Sequence, residues 1–236
     1  MAPRLPIVAI DGPAGAGKST VARRLADALG FVLVDTGAMY RAVALAAERA
    51  GIAWSDGPRL GALAGSLVDE AALSFERGSS GVRVKLRGED VSEAIRTPSI
   101  GMGASTVSAH PEVRAALLDL QRQAGAGGGV VLEGRDIGSV VFPDAEAKFF
   151  LTARPEIRAR RRFDELAAKP TAKVDEGPAL TFEATLEDVR RRDAQDTGRA
   201  AAPLKQADGS VLIDSSEMSI EQTVQTMADL VRERMR

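Results

Sequence analysis

The sequence of 236 residues contains no cysteine, no asparagine and a single histidine, His110. Without cysteine there is no disulfide framework, thiolate nucleophile or cysteine-bound metal, and one histidine excludes a multi-histidine metal site. A Ser-His-Asp triad would depend on His110, and no GxSxG motif accompanies it. Several large classes of hydrolase and metalloenzyme are therefore not expected.

Long hydrophobic runs and a charge excess of either sign are also missing. No stretch of about 18 apolar residues is present, and the N-terminal apolar run is too short for a secretory signal. The 31 basic and 33 acidic residues give a net charge of -2, which does not indicate a nucleic-acid partner. The remaining composition is that of an ordinary globular protein. We expect a folded cytoplasmic protein with no membrane and no nucleic-acid partner.

Short apolar runs alternate with stretches of helical spacing along the chain. The runs occupy residues 5–10, 31–34, 130–132, 147–151 and 211–213. Uninterrupted apolar runs are typical of strands that are covered on both faces, and helices between them are typical of parallel strands. The pattern predicts the α/β class with a mainly parallel sheet.

Two segments interrupt this pattern. Residues 73–90 alternate apolar and polar positions around a Gly-Ser-Ser-Gly turn, which predicts a small antiparallel β insertion. Residues 169–178 separate an arginine-rich helix that starts near Pro155 from another that starts near Thr181, which predicts a helical lid. The predicted single domain consists of a core (residues 1–65, 99–153 and 197–236), an insert (66–98) and a lid (154–196).

The strongest motif lies between the first predicted strand and the first predicted helix. Residues 12–19 match GxxxxGK[ST], the phosphate-binding P-loop. Glycines let successive backbone N–H groups surround a phosphate, and the following helix places its positive end at the same anion. Lys18 is expected to reach the β- and γ-phosphates and Ser19 to bind Mg²⁺. The predicted ATP contacts are Gly12, Pro13, Ala14, Gly15, Ala16, Gly17, Lys18, Ser19 and Thr20.

Other motifs separate a molecular switch from a phosphotransferase. A GTPase would need the guanine-binding NKxD motif, and the chain has no asparagine. A motor or ATPase would usually show an apolar strand that ends in a magnesium-binding Asp, whereas residues 130–136 end in Arg135 and Asp136. This ending favours a second anion beside the P-loop.

Arginines can hold that second anion. The guanidinium groups of Arg41, Arg135, Arg192 and Arg199 suit a phosphate and the charge of a transferred phosphoryl group. Arg192, Asp196 and Arg199 would share a helical face if the helix extends that far, although a surface salt-bridge ladder explains the spacing equally well. We assign catalysis to Lys18, Arg135 and Arg192.

With these residues in view, the sequence resembles the bacterial cytidylate kinases, members of the nucleoside monophosphate kinase family, over about residues 7–230. The resemblance rests on residues 10–20, 35–41, 88–92, 95–97, 111–114, 134–138, 141–144 and 192–204. It implies a three-layer P-loop kinase core, an insert on the monophosphate side and a lid over ATP. It also implies Mg·ATP-dependent phosphorylation of CMP and dCMP in pyrimidine nucleotide metabolism by a monomer.

The resemblance further assigns residues to the acceptor nucleotide. Ser105, Arg114 and Asp136 would recognise cytosine, Arg192 and Asp196 would contact the ribose, and Arg41, Arg135 and Arg199 would hold the monophosphate. Asp35, Thr36 and Tyr40, from the 35–41 motif, complete the predicted CMP site, and Arg158 and Arg161 of the lid are assigned to ATP.

Two alternatives stay open on the sequence alone. Another P-loop nucleotide or small-molecule kinase would share the P-loop and differ only in its acceptor pocket. A non-catalytic ATP-binding regulator would not need four arginines beside the phosphates. Within the lid, Arg154 and Ile157 depart from the family pattern, so which lid arginine contacts ATP is open, and an exposed basic helix face is an equal alternative.

Overall fold

The structure, a computed structural model, describes residues 4–78, 81–168, 180–199 and 201–235. The strands are β1 (Ile7–Asp11), β2 (Val32–Asp35), β3 (Leu73–Gly78), β4 (Gly81–Leu86), β5 (Glu89–Asp90), β6 (Val130–Gly134), β7 (Ala147–Thr152) and β8 (Val211–Asp214). The helices are α1 (Lys18–Leu29), α2 (Thr36–Arg49), α3 (Gly57–Asp69), α4 (Pro98–Val107), α5 (Pro111–Gly125), α6 (Pro155–Ala167), α7 (Phe182–Thr197) and α8 (Ile220–Arg234).

A five-stranded sheet in the order β2-β6-β1-β7-β8 forms the centre of the protein. All its neighbouring strands are parallel, which confirms the predicted α/β class. The carboxyl ends of parallel strands therefore meet at one edge of the sheet, where ligands bind in open α/β folds. The P-loop follows β1, the Arg135–Asp136 pair follows β6, and Thr36 follows β2 at this edge.

The expectation that every strand is covered on both faces was wrong at the sheet edges. The central strands β1 and β6 are almost entirely buried. On the edge strands, however, Val32 of β2 is 44% exposed and Leu212 of β8 is 53% exposed. An edge strand has a neighbouring strand on one side only, so an apolar run there does not require complete cover.

Helices pack on both faces of the sheet. Val8 and Ile10 of β1 share an apolar cluster with α1 and α8 on one face. Ile7 and Ala9 point to the other face, where Leu118 of α5 packs near them. Together with the sheet, these two faces give the predicted three-layer core.

The antiparallel insert is present as a three-stranded sheet in the order β3-β4-β5. Leu73, Val84 and Leu86 of this sheet belong to the same buried cluster as α2 and α5, so the insert is packed onto the core. The predicted boundary at residue 66 falls within α3. Ser79 and Ser80, in the predicted turn, lie outside the described residues.

The two lid helices begin where the sequence predicts. Pro155 is the first residue of α6, and the Thr181 hydroxyl caps α7 by accepting from the Ala184 amide at 3.1 Å. The predicted loop at 169–178 lies outside the described residues. Helix α7 ends at Thr197 with Gly198 as its C-cap, so the helical face predicted to include Arg199 stops before it.

Helix α4 offers a matched pair of glycine substitutions. A Cβ on Gly103 would lie 2.6 Å from the Trp54 ring, whereas a Cβ on Gly101 would meet nothing within 4 Å. We expect Gly101→Ala to raise the free energy of unfolding by about 0.5–1 kcal/mol, because alanine is the better helix former. Gly103→Ala should lower it by about 1–3 kcal/mol through overpacking. Urea unfolding followed by Trp54 fluorescence measures both, and equal shifts of the same sign would contradict the packing.

Candidate active site

The P-loop connects β1 to α1 with a backbone that only glycine adopts readily. Gly12 has a φ of 151°, and a Cβ there would lie 1.9 Å from the Leu151 carbonyl oxygen. Gly15 and Gly17 also have positive φ values, and Gly17 is the N-cap of α1. The loop therefore takes the tight form that the motif predicts, with its N–H groups and the α1 N-terminus at the carboxyl edge of the sheet.

Lys18 is buried inside this loop. Its ammonium group donates a 2.7 Å hydrogen bond to the Pro13 carbonyl. Burial, followed by the charge of Arg135, lowers the pKa of Lys18 to about 7, while Glu133 and Asp196 oppose that shift. A bound phosphate would favour the charged ammonium, because an added negative charge raises the pKa of a lysine.

Glu133 is a site residue that the sequence analysis did not assign. It lies near the end of β6, is 4% exposed, and its Oε2 accepts a 3.0 Å hydrogen bond from the Ser19 hydroxyl. Its Oε1 is buried with no hydrogen-bond partner among the described residues. Burial, followed by the charge of Asp35, raises the pKa of Glu133 to about 7. An acid within a buried apolar strand was the available sequence signal.

Ser19 and Glu133 fit a magnesium ion. Hydroxyl and carboxylate oxygens are the ligands that Mg²⁺ prefers, and proteins commonly hold it through one or two carboxylates plus substrate phosphates. The unpartnered Glu133 Oε1 is an additional oxygen at the same place. Within the described part of the chain, no cluster of three or more His, Cys, Asp or Glu side chains that could hold a metal ion occurs.

Asp196 gathers two of the predicted arginines. Its Oδ2 accepts a 2.8 Å hydrogen bond from Arg135 Nε, and its Oδ1 pairs with Arg199. Asp196 is 3% exposed. Although burial raises the pKa of Asp196, the charges of Arg135 and Arg199 bring it below its ordinary value. Arg192 lies near Asp196 and Arg135, and burial lowers its pKa.

The end of β2 contributes another ion pair between a carboxylate and an arginine. Asp35 caps α2 by accepting from the Ala38 amide at 3.0 Å, and it also accepts from Arg41 at 2.6 Å. The Thr36 hydroxyl donates to the Glu133 carbonyl at 2.7 Å, which joins the end of β2 to that of β6. Buried Nε atoms of Arg41 and Arg199 have no partner among the residues described. These donors are available to an anion.

Two of the three predicted base contacts, Arg114 and Asp136, line a small cavity of about 90 Å³, whereas Ser105 is not among its lining residues. Arg114 pairs with Asp136 at this cavity and lies 5.7 Å from the centroid of the Tyr40 ring. The Tyr40 hydroxyl accepts a 3.4 Å hydrogen bond from Gln121, a buried residue that sequence reasoning missed. Ser105 is partly buried on α4, where its carbonyl accepts from the Ser108 hydroxyl at 3.0 Å.

Asp11 is a third residue that the sequence analysis did not assign. The last residue of β1, it is 2% exposed, and its two carboxylate oxygens accept from the amides of Ile137 and Gly138 at 2.7 and 2.8 Å. Burial raises the pKa of Asp11 to about 6 against the lowering effect of these two amides. Asp11, the residue directly before the P-loop, therefore fixes the backbone that follows Arg135 and Asp136.

The two lid arginines assigned to ATP are bonded to the protein itself. Arg158 is 3% exposed and pairs with Asp193. Arg161 donates to the Ser215 hydroxyl at 3.2 Å and to the Ser215 carbonyl at 2.8 Å. The structure thus places the P-loop and the predicted residues that follow β2 and β6 at one edge of the sheet, whereas no described contact joins Ser105 to them. Direct contact of Arg158 or Arg161 with ATP stays a prediction.

The raised pKa of Glu133 predicts a pH-dependent stability. A carboxyl whose pKa is higher in the folded state stabilises the protein below its unfolded pKa and loses that contribution as the pH rises through the folded pKa. Between about pH 4.5 and 7, the wild-type protein should therefore lose on the order of 2 kcal/mol relative to Glu133→Gln. Urea unfolding of both proteins at several pH values measures this difference. Parallel curves would contradict burial of an ionisable Glu133.

Comparison with known proteins agrees with this geometry. The family model described as cytidylate kinase matches residues 8–233. A cytidylate kinase of Geobacter sp. (strain M21) is 53% identical over 229 residues, covering 97% of this chain and 94% of the relative. One from Neisseria meningitidis serogroup C is 48% identical, covering 98% of this chain and 99% of the relative. The chain belongs to the cytidylate kinase family.

Proposed function

We propose that this protein transfers the γ-phosphoryl group of Mg·ATP to CMP and dCMP, which yields ADP and CDP or dCDP. Membership of the cytidylate kinase family supports this activity. The observation that carries the proposal is that Arg135 and Asp136 are consecutive on a loop beside the P-loop. A guanidinium suited to phosphate and a carboxylate suited to a base amine are thereby joined next to Lys18.

The P-loop half of the site would hold ATP. Backbone N–H groups of residues 14–20 and the N-terminus of α1 would surround the triphosphate, and Lys18 would neutralise its terminal oxygens. Ser19, with Glu133 beside it, would hold a magnesium ion, which would supply positive charge that neutralises the phosphate oxygens. Glu133 also orients the Ser19 hydroxyl, since the two already share a hydrogen bond.

The acceptor half of the site would distinguish cytosine from uracil. Cytosine offers an N4 amine that the Asp136 carboxylate can accept, and it offers O2 and N3 acceptors for Arg114 and the Ser105 hydroxyl. Uracil replaces the amine with a carbonyl oxygen, which offers the buried carboxylate no hydrogen bond. Asp136 is 4% exposed, so that loss is not made up by water.

The remaining acceptor residues would bind ribose and phosphate. Asp196 and Arg192 would contact the ribose hydroxyls, and Arg41, Arg135 and Arg199 would hold the monophosphate. The unpartnered Nε donors of Arg41 and Arg199 support this assignment. A bidentate guanidinium contact also fixes the orientation of a phosphate, which in-line transfer requires.

The chemistry needs no strong general base. The second pKa of a phosphate monoester is near 6, so the attacking CMP oxygen is mostly ionised at pH 7. That oxygen forms a bond to the γ-phosphorus, while the bond to the β–γ bridging oxygen breaks and its electrons leave with ADP. Lys18, Arg135 and Arg192 would neutralise the charge on the transferred group. A chain with one histidine can therefore carry out this reaction.

The family result does not favour the alternatives of another acceptor or a non-catalytic regulator. A coupled ADP-release assay with ATP and a panel of nucleoside monophosphates tests all three. Release with CMP and dCMP supports the proposal, and release with a different acceptor, or none at all, overturns it.

A monomer and a cytoplasmic location remain expectations. Among the described helices, none has the length and apolarity to span a bilayer.

Lys18→Ala should leave the fold intact and lower kcat by at least about 10²-fold, the scale of losing one preorganised electrostatic group. Steady-state kinetics with CMP, together with thermal unfolding, measures both properties. Lys205→Ala removes an exposed lysine and serves as the matched control, with kcat expected near wild type. Near-normal turnover of a folded Lys18→Ala protein would remove Lys18 from catalysis.

Asp136→Ala should reduce the preference for CMP over UMP. We expect the ratio of kcat/KM values to fall by about 10-fold or more, because the variant has no carboxylate to pair with the cytosine amine. Asp144→Ala changes an exposed aspartate nearby and should keep the ratio. If the ratio is unchanged in Asp136→Ala, this residue does not read the base.

A further inference from the structure

The guanidinium group of Arg158 lies where three segments of the protein meet. Its NH1 donates to the Ala14 carbonyl of the P-loop at 3.0 Å. Its Nε donates to the Ala153 carbonyl after β7 at 2.7 Å. Its NH1 and NH2 form a forked pair with the Asp193 carboxylate of α7, at 2.9 and 2.6 Å. One side chain of α6 thus joins the P-loop, the end of β7 and helix α7.

This arrangement restricts both the distance and the orientation of α7. The guanidinium is planar, so two parallel bonds to Asp193 fix the direction of that carboxylate as well as its position. The Arg158 side chain is only 4% exposed, and losing one partner of a buried ion pair leaves an uncompensated charge. The pair is therefore costly to separate while α7 stays packed.

Asp193 occupies an informative place on α7. It follows Arg192, which we assign to the transferred phosphoryl group, and it precedes Asp196, which pairs with Arg135 on the acceptor side. Helix α7 is thus held from the acceptor side through Asp196 and from the ATP side through Asp193. The same part of α6 lies close to the P-loop, since a Cβ on Gly15 would come within 3.2 Å of Arg158 Cβ.

We propose that Arg158 and Asp193 form a clamp, comprising their ion pair and the bond to the Ala14 carbonyl, that positions Arg192 against the P-loop. Arg158 is then a positioning residue that acts on phosphoryl transfer through Arg192, in place of the direct ATP contact that the sequence predicts for it. Its donors are directed to Ala14, Ala153 and Asp193. The proposal rests on the function proposed above, because that function gives Arg192 its role.

The lid provides a matched control. Glu156 of α6 and Arg190 of α7 form a 3.2 Å ion pair between the same two helices, with side chains 52% and 56% exposed. Exposed pairs of this kind contribute little to stability, because water screens them and two long side chains must be ordered. If every α6–α7 ion pair contributed equally to the position of Arg192, removal of this one would have the same effect as removal of the clamp.

The test is a pair of double-mutant cycles. Arg158→Lys and Asp193→Asn keep side-chain size, and each should lower kcat with CMP by about 10-fold or more, the scale of a small misplacement in an active site. The double variant should be no slower than the slower single variant, because both changes break the same clamp. Glu156→Gln, Arg190→Gln and their double variant should stay within about 2-fold of wild type.

Other outcomes overturn the proposal. If Arg158→Lys raises the KM for ATP while Asp193→Asn leaves kcat and KM unchanged, Arg158 contacts ATP directly. If the two effects on kcat multiply, the residues act separately. The Asp193 side chain is 26% exposed, so Asp193→Asn tests the clamp even if Arg158→Lys does not fold.

Hydrogen exchange of the ligand-free protein separates this proposal from the proposed function. In Asp193→Asn the amides of α7 should exchange about 10-fold faster than in Glu156→Gln, while those of β1 and β6 stay unchanged. Faster α7 exchange in a protein that shows no CMP-dependent ADP release would support the clamp and overturn the function. Unchanged α7 exchange in a protein that phosphorylates CMP would overturn the clamp alone.

Discussion

Burial of opposite charges at the carboxyl edge of the sheet is the interaction on which the site depends. Asp196 is almost completely buried, yet it is charged because Arg135 and Arg199 pair with its two oxygens. Removing a charge from water is costly unless a partner and hydrogen bonds replace the lost hydration. Each charged group at this edge therefore restrains its partner, and the arginines are oriented before an anion arrives.

Burial moves the pKa values of three ionisable groups in the site toward neutral pH. The pKa of Asp11 is raised to about 6, that of Glu133 to about 7, and that of Lys18 is lowered to about 7. In each case the larger cause is the loss of water, and nearby charges modify it. Charged ligands would reverse part of these pKa shifts, because phosphate favours a charged lysine and a cation favours a charged carboxylate. The site thus has the electrostatic character that the proposed nucleotide and magnesium ion require.

The sequence predicted the elements that depend on neighbouring residues. The P-loop is complete within eight residues, and the first turns of α6 and α7 are marked by Pro155 and Thr181. The resemblance, rather than spacing, supplied the acceptor residues. Glu133, Asp11 and Gln121 were missed because their partners lie 114, 126 and 81 residues away in the chain. No local pattern reports such contacts. The end of α7 was missed because Gly198 stops the helix before Arg199.

The register of the two central strands determines the distance between the two loops that follow them. Asp11 of β1 lies directly opposite Gly134 of β6. The P-loop and the loop that begins with Arg135 therefore leave the sheet side by side from adjacent strands. Backbone hydrogen bonds set the separation of such strands at about 4.8 Å, whatever side chains follow. The gap between the two loops assigned to phosphate is thus set by the sheet, whereas the cavity assigned to the base is lined by residues of α2, α5 and the segment after β6. Mutations in that pocket could retarget the scaffold to a different acceptor while the distance between the reacting groups is preserved.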